Sequence, residues 1–119
     1  MLLIYNNADA IAAMPEAERT ALMGEAGAIM GRLTESGELV GGAALAHPRH
    51  TRTVAFRGGA PATTDGPFLE SKEQFAGYVT VDVASEERAL EIARNWPDAR
   101  LGTGAMEVRQ VLDEESGES

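Results

Sequence analysis

The 119-residue chain contains no cysteine, a single lysine, a single tryptophan and few aromatic side chains (5%). Without cysteine there are no disulfides, no thiolate metal sites and no cysteine nucleophile, and the composition suits a reducing compartment. No apolar run approaches the roughly 18–20 residues needed to span a bilayer. The first residues, Leu2-Leu3-Ile4-Tyr5, are not a basic leader followed by a long apolar stretch, so the expectation is a cytoplasmic protein without a membrane partner. Basic clusters are also missing: Lys72 is the lone lysine, the arginines are scattered, and the formal net charge is −9. A surface of that sign repels phosphates, which argues against a nucleic-acid partner.

What is present fits one domain, expected over residues 1–112, followed by an acidic, disordered tail over 113–119. The tail carries Asp113, Glu114, Glu115 and Glu118 and reads as a solvated end. Met1 to Tyr5 is a short apolar run stopped by Asn6-Asn7, which predicts a buried strand. Pro15 to Ser36 predicts a long helix. Pro15 stands at its first turn, Glu16 and Glu18 lie at the positive end of the dipole, and Leu22, Ala26, Ile29 and Leu33 form one apolar stripe; Gly37 is a left-handed cap. Gly24, Gly27 and Gly31 inside it point to a closely approaching backbone or to simple tolerance.

Leu39 to Ala46 is strand-like, and Gly41-Gly42 suggests a bulge or a close contact within it. Thr51 to Arg57 alternates with a period of two, Gly58-Gly59 is a hairpin turn and Ala62 to Thr64 a short return arm. Phe75 to Val83 is the next strand. Ser85 caps a second helix whose stripe Ala89, Leu90, Ala93, Trp96 ends at Pro97, and Ala105 to Leu112 is the last strand. The plan is α+β: a ferredoxin-like βαββαβ antiparallel sheet with helices on one face and an inserted β-hairpin. Tyr5, the Gly41–Leu45 segment and Tyr78 leave the other sheet face apolar. A second copy packed sheet to sheet, a homodimeric α+β barrel-like assembly, is the simplest cover.

The densest polar chemistry lies in Asp65-Gly66-Pro67-Phe68-Leu69-Glu70-Ser71-Lys72-Glu73. Asp65 is expected to fix the turn through backbone hydrogen bonds, Gly66 permits positive φ and Pro67 fixes φ. Phe68 is expected to anchor the loop in apolar surroundings, and Glu70, Lys72 and Glu73 gather charge between two elements, where binding loops sit. Asp65 to Phe68, continued by Glu70, Lys72, Glu73 and Gly77, resembles the signature of the DGPF branch of the YCII-related family. The opening strand, the long first helix, Gly37-Glu38-Leu39-Val40 and Met106-Glu107-Val108-Arg109 are similar as well, so the resemblance spans nearly the whole chain.

That resemblance implies a ferredoxin-like unit that pairs into dimers and a similarity to small lactone isomerases and dehydrochlorinases of the same fold. It also implies an association with sigma factors of the extracytoplasmic-function type. One branch of the family carries a histidine on the first helix and an aspartate in a cleft. Here Gly24 to Arg32 contains no histidine and Ala26 falls near its position, so that role does not carry over.

The residues themselves leave two readings open. In one, the chain is a small-molecule binder or an enzyme of isomerase- or lyase-like acid–base chemistry, with no cofactor. Asp65 and His47 would be catalytic, and Tyr5, His50, Phe68, Glu70, Lys72 and Glu73 would be ligand-binding. The plainer roles are a solvated loop for His47 and His50, a turn-fixing Asp65 and a charged surface for Glu70, Lys72 and Glu73. A His47-His50-Asp65-Glu70 metal site is disfavoured, because His-x-x-His in a loop is a weak signal. In the other reading the chain is a regulatory module whose acidic surface suits a basic protein partner such as a sigma factor.

Overall fold

The structure is a computed structural model that describes residues 1–112. Its centre is β1, Leu2–Asn6. The strand is short and almost wholly apolar because it has neighbours on both edges and helices over one face. It pairs antiparallel with β5 (Gln74–Val81) on one side and with β6 (Ala105–Val108) on the other. β2 (Leu39–Ala44) joins the far edge of β5, giving the order β2-β5-β1-β6. Leu2 lies opposite Val79 and Val108, and Ile4 opposite Gly77 and Met106, so Leu2, Ile4, Val79 and Val108 share the face that meets the helices. A bulge between Ile4 and Tyr5 then sets Tyr5 opposite Phe75 and Asn6 opposite Gln74.

Three helices complete the α+β unit. α1 (Ala8–Ala12) is capped by Asn7, whose side chain accepts from the Ala10 N–H at 3.0 Å. α2 (Glu16–Ser36) starts after Pro15 and ends at Gly37, whose φ of +78° is open to glycine. α3 (Glu86–Asn95) is capped by Ser85, which accepts from Arg88 N–H at 3.1 Å, and is stopped by Pro97. The core joins Leu2 and Val79 to Ile29 and Leu33 of α2, to Ala89, Ile92 and Ala93 of α3, and to Trp96. The antiparallel sheet with its helices is compatible with the ferredoxin-like plan.

Several boundaries differ from the sequence expectation. α1 is additional to the expected elements. β2 stops at Ala44 and β5 at Val81. β6 ends at Val108, after which Arg109 still exchanges hydrogen bonds with Met1. The apolar stripe of α2 is buried only at Ile29 and Leu33; Met23 is 73% exposed. A Cβ at Gly24, Gly27 or Gly31 would meet nothing within 4 Å, so these glycines are tolerated rather than required by a close neighbour in the chain. Gly42 is the opposite case. β2 and β5 are pressed together there, and a Cβ on Gly42 would stand 2.6 Å from the Tyr78 carbonyl oxygen. The expected bulge is also present, between Leu39 and Gly41.

β3 (Arg52–Arg57) and β4 (Ala60–Asp65) form a separate two-stranded ribbon, turned by Gly58 and Gly59 at φ +61° and +82°. Both residues have positive φ, as a tight hairpin twisted to match its strands requires. The return arm is longer than expected, reaching Asp65. The ribbon packs substantially on no other element, although it carries Val54 and Phe56, the latter 76% exposed. The expected apolar anchoring of Phe68 is not formed: this side chain is 75% exposed, because no part of the described chain lies over the loop that follows the ribbon. The acidic tail lies outside the described residues. Among the described residues no helix is long and apolar enough to cross a membrane.

Candidate functional site

The first half of α2 stands off the sheet, and beneath it is a cleft of about 660 Å³. The cause is side-chain size. Along the sheet the space is faced by Gly42, Ala44, Ala76 and Gly77, and from the helices by Ala8 and Ala26. These residues are too small to fill the gap between a helix and a sheet. Ile4, Ile11, Leu22, Met23, Met30 and Trp96 supply the rest of an apolar lining. The polar side chains at the cleft are Asn6, His47, Gln74 and Asp98, while Tyr78, opposite Leu3, borders it through its backbone; no lysine or arginine lines it.

His47 stands at the outer part of the cleft, on the segment that leaves β2. A 3-10 turn over Pro48–His50 follows, and His47 caps it: its Nδ1 accepts from Arg49 N–H at 3.0 Å. An Nδ1 that accepts must lack a proton, so a neutral imidazole carries its proton on Nε2. That nitrogen lies 2.9 Å from Oδ1 of Asp9 on α1 and donates to it. The imidazole is thereby held in one tautomer by a carboxylate, the arrangement expected of an acid–base histidine, but the carboxylate is Asp9 and not Asp65.

Asp65 is elsewhere. It closes the base of the ribbon, its Oδ1 3.0 Å from Arg52 Nε, with the side chain 90% exposed. The loop after it is fixed by backbone and hydroxyl contacts. Gly66 N–H donates to Thr51 O at 2.7 Å, Thr53 Oγ1 donates to Gly66 O at 2.7 Å, and Gln74 Nε2 donates to Leu69 O and Ser71 O, both at 2.9 Å. The turn therefore has the positive-φ Gly66 expected (+92°), but the carboxylate is spent on arginine. Glu70, Lys72 and Glu73 are exposed in this loop, which is not helical, and His50 is exposed on the 3-10 turn. Among the described residues no group of three or more metal-binding side chains is assembled.

Tyr5 lies on the opposite face of the sheet from the cleft. Its ring packs at 58° against Phe75 with centroids 5.7 Å apart, and with Glu73, Ala105 and Glu107 it lines a shallower hollow. A hydrogen bond to the Glu107 carboxylate, with burial adding to it, pushes the phenol above its usual range. The candidate residues thus divide into three places: His47 at the cleft, Tyr5 with Glu73 across the sheet, and Asp65 with Phe68 at the ribbon's base.

Besides Asp9, the residue that sequence reasoning missed is Asp98. It follows Trp96 and Pro97, both buried, and is itself only 7% exposed. One carboxylate oxygen accepts from Asn6 Nδ2 at 3.0 Å. The available signal was a carboxylate directly after two residues of core character, at the end of an apolar stripe.

Comparison with known proteins gives one consistent result. The sequence model of the YCII-related domain matches residues 1–115. The protein named uncharacterized protein R00369 of Rhizobium meliloti (strain 1021) is 32% identical over 117 residues, which cover 98% of this chain and 94% of that protein.

Proposed function

This chain belongs to the YCII-related domain family, and we propose that within it the chain is a small-molecule-binding protein whose ligand occupies the cleft beneath α2. The observation that carries this reading is the cleft itself: about 660 Å³ of space with a mostly apolar lining and a few convergent polar groups, the usual form of a ligand site. His47, held by Asp9 at 2.9 Å, is the group suited to move a proton, so isomerase- or lyase-type acid–base chemistry is the reaction class it fits.

The working unit in this reading is a ferredoxin-like homodimer in which a second copy covers the sheet face bearing Leu3, Tyr5, Phe75 and Tyr78. The unpacked ribbon supports this, since an isolated two-stranded hairpin is marginal in water and needs a partner surface. Asp65, Phe68, Glu70, Lys72 and Glu73 then serve the site across the dimer, not within one chain. The same exposed Val54, Phe56 and Phe68 support the second reading, a regulatory module that docks on a sigma factor.

Two measurements decide between them. Sedimentation equilibrium should give twice the 12.6 kDa chain mass. Fluorescence of N-phenyl-1-naphthylamine, a neutral apolar dye, should rise on mixing and fall back in Ala26→Phe, which fills the cleft. A monomer that leaves the dye dark would remove the binding reading and leave the regulatory one.

A further inference from the structure

Asp98 has no role in the chemistry just described, yet it is the most enclosed charged side chain at the cleft. A carboxylate in an apolar setting is costly to keep unless it is hydrogen-bonded or paired with a cation. Here one oxygen is served by the Asn6 amide at 3.0 Å. Among the described residues no ion pair reaches Asp98, and no lysine or arginine lines the cleft that could provide one. A carboxylate offers about four acceptor sites, so beyond the Asn6 amide it has others to offer a ligand in the cleft, and neither oxygen is sealed off without a partner.

From this geometry we infer that Asp98 is the anchor for the ammonium group of an amphipathic amine, whose hydrocarbon body lies along Leu22, Ala26, Met30 and Trp96. The inference rests on the binding reading and specifies its ligand class. Three features select an amine over an acid or an alcohol. The inner carboxylate wants N–H donors and gains most from charged ones. The lining supplies apolar walls on the remaining sides. The net charge of −9 draws cations toward the molecule and repels anions. Asp9, exposed and bonded to the cleft-lining His47, adds a second carboxylate nearby.

Trp96 lines the cleft and is the only tryptophan in the chain, so its fluorescence reports occupancy without a label. The probes are octylammonium, trimethyloctylammonium, octanol and octanoate, titrated at neutral pH and physiological ionic strength. Octylammonium should bind about tenfold more tightly than octanol, the factor that a single charge-assisted hydrogen bond gives, and octanoate most weakly. Trimethyloctylammonium has the same charge and no N–H, so it should lose most of that advantage.

In Asp98→Asn, which keeps an acceptor for Asn6, octylammonium should fall to within about twofold of octanol while octanol is unchanged. Should that variant fail to fold, the comparison of octylammonium with its trimethylated form on the wild-type protein decides alone. Equal affinities for octylammonium and octanol, or an amine preference that survives Asp98→Asn, would overturn the anchor while leaving the cleft as a binding site. No response to any of the four probes would overturn both.

Discussion

The two halves of α2 belong to one helix and one apolar stripe, yet they do different things. The second half is seated: Ile29 and Leu33 are buried against Leu2, Val79, Ile92 and Trp96. The first half faces Gly42, Ala44, Ala76 and Gly77, and a cleft remains beneath it. The difference lies in the residues opposite and not in the helix, since large partners close the interface and small ones leave it open. The proposed ligand site lies under the open half.

The comparison can be broken most severely at its closed end. Leu33→Ala should cost about 2–5 kcal/mol, the usual range for truncating a buried leucine, while Leu22→Ala over the cleft should cost well under half as much; urea unfolding of both variants measures the ratio. Equal losses would mean that the first half is as firmly packed as the second. Next comes the cleft's sheet wall. Gly42→Ala would push a Cβ to 2.6 Å from the Tyr78 carbonyl oxygen, and about 1–3 kcal/mol of strain is expected there, seen as a lowered denaturant midpoint.

Smaller effects sharpen the contrast. Gly27→Ala has free space around its new methyl and should stabilise by about 0.4–1 kcal/mol, a modest rise in Tm. The smallest effect concerns the far side of the molecule, where Glu38 before β2 accepts two hydrogen bonds from Arg88 of α3, at 2.8 and 2.9 Å. Arg88, and then Ser36, lower the Glu38 carboxyl from 4.5 to about 2. A carboxyl with a lowered folded value adds stability above its unfolded value and loses it as pH falls. The contribution should therefore be complete above about pH 4.5 and fade toward pH 2. Acid titration of unfolding free energy should be shallower in Glu38→Gln over that window; an identical profile would show the pair to be inert.

Much of the frame was legible because its signals are local. Ser85, Gly37 and Pro97 mark helix ends through their own backbone and side-chain chemistry, and the glycine pair at 58–59 marks the hairpin. What was missed depends on partners distant in the chain. α1 is five residues long, too short for periodicity to register, although Asn7 was available as its cap. His47 and Asp9 are 38 positions apart, and no spacing rule joins them, so Asp65 was favoured from the density of polar residues around it. The expectation that Phe68 would find an apolar setting failed because the loop's surroundings within one chain are solvent. The stripe ending at Trp96 hints locally that Asp98 is enclosed, but its partner Asn6 is 92 positions away, and no local pattern joins the two.

The claim that the hollow under the lifted half of α2 is where a ligand sits can be tested by mapping backbone amide shifts in 1H-15N spectra as N-phenyl-1-naphthylamine is added. The account predicts changes concentrated over residues 22–30, 42–47 and 74–79, with α3 and the ribbon quiet. Changes confined to Val54, Phe56 and the loop around Phe68, with the cleft amides unmoved, would contradict it.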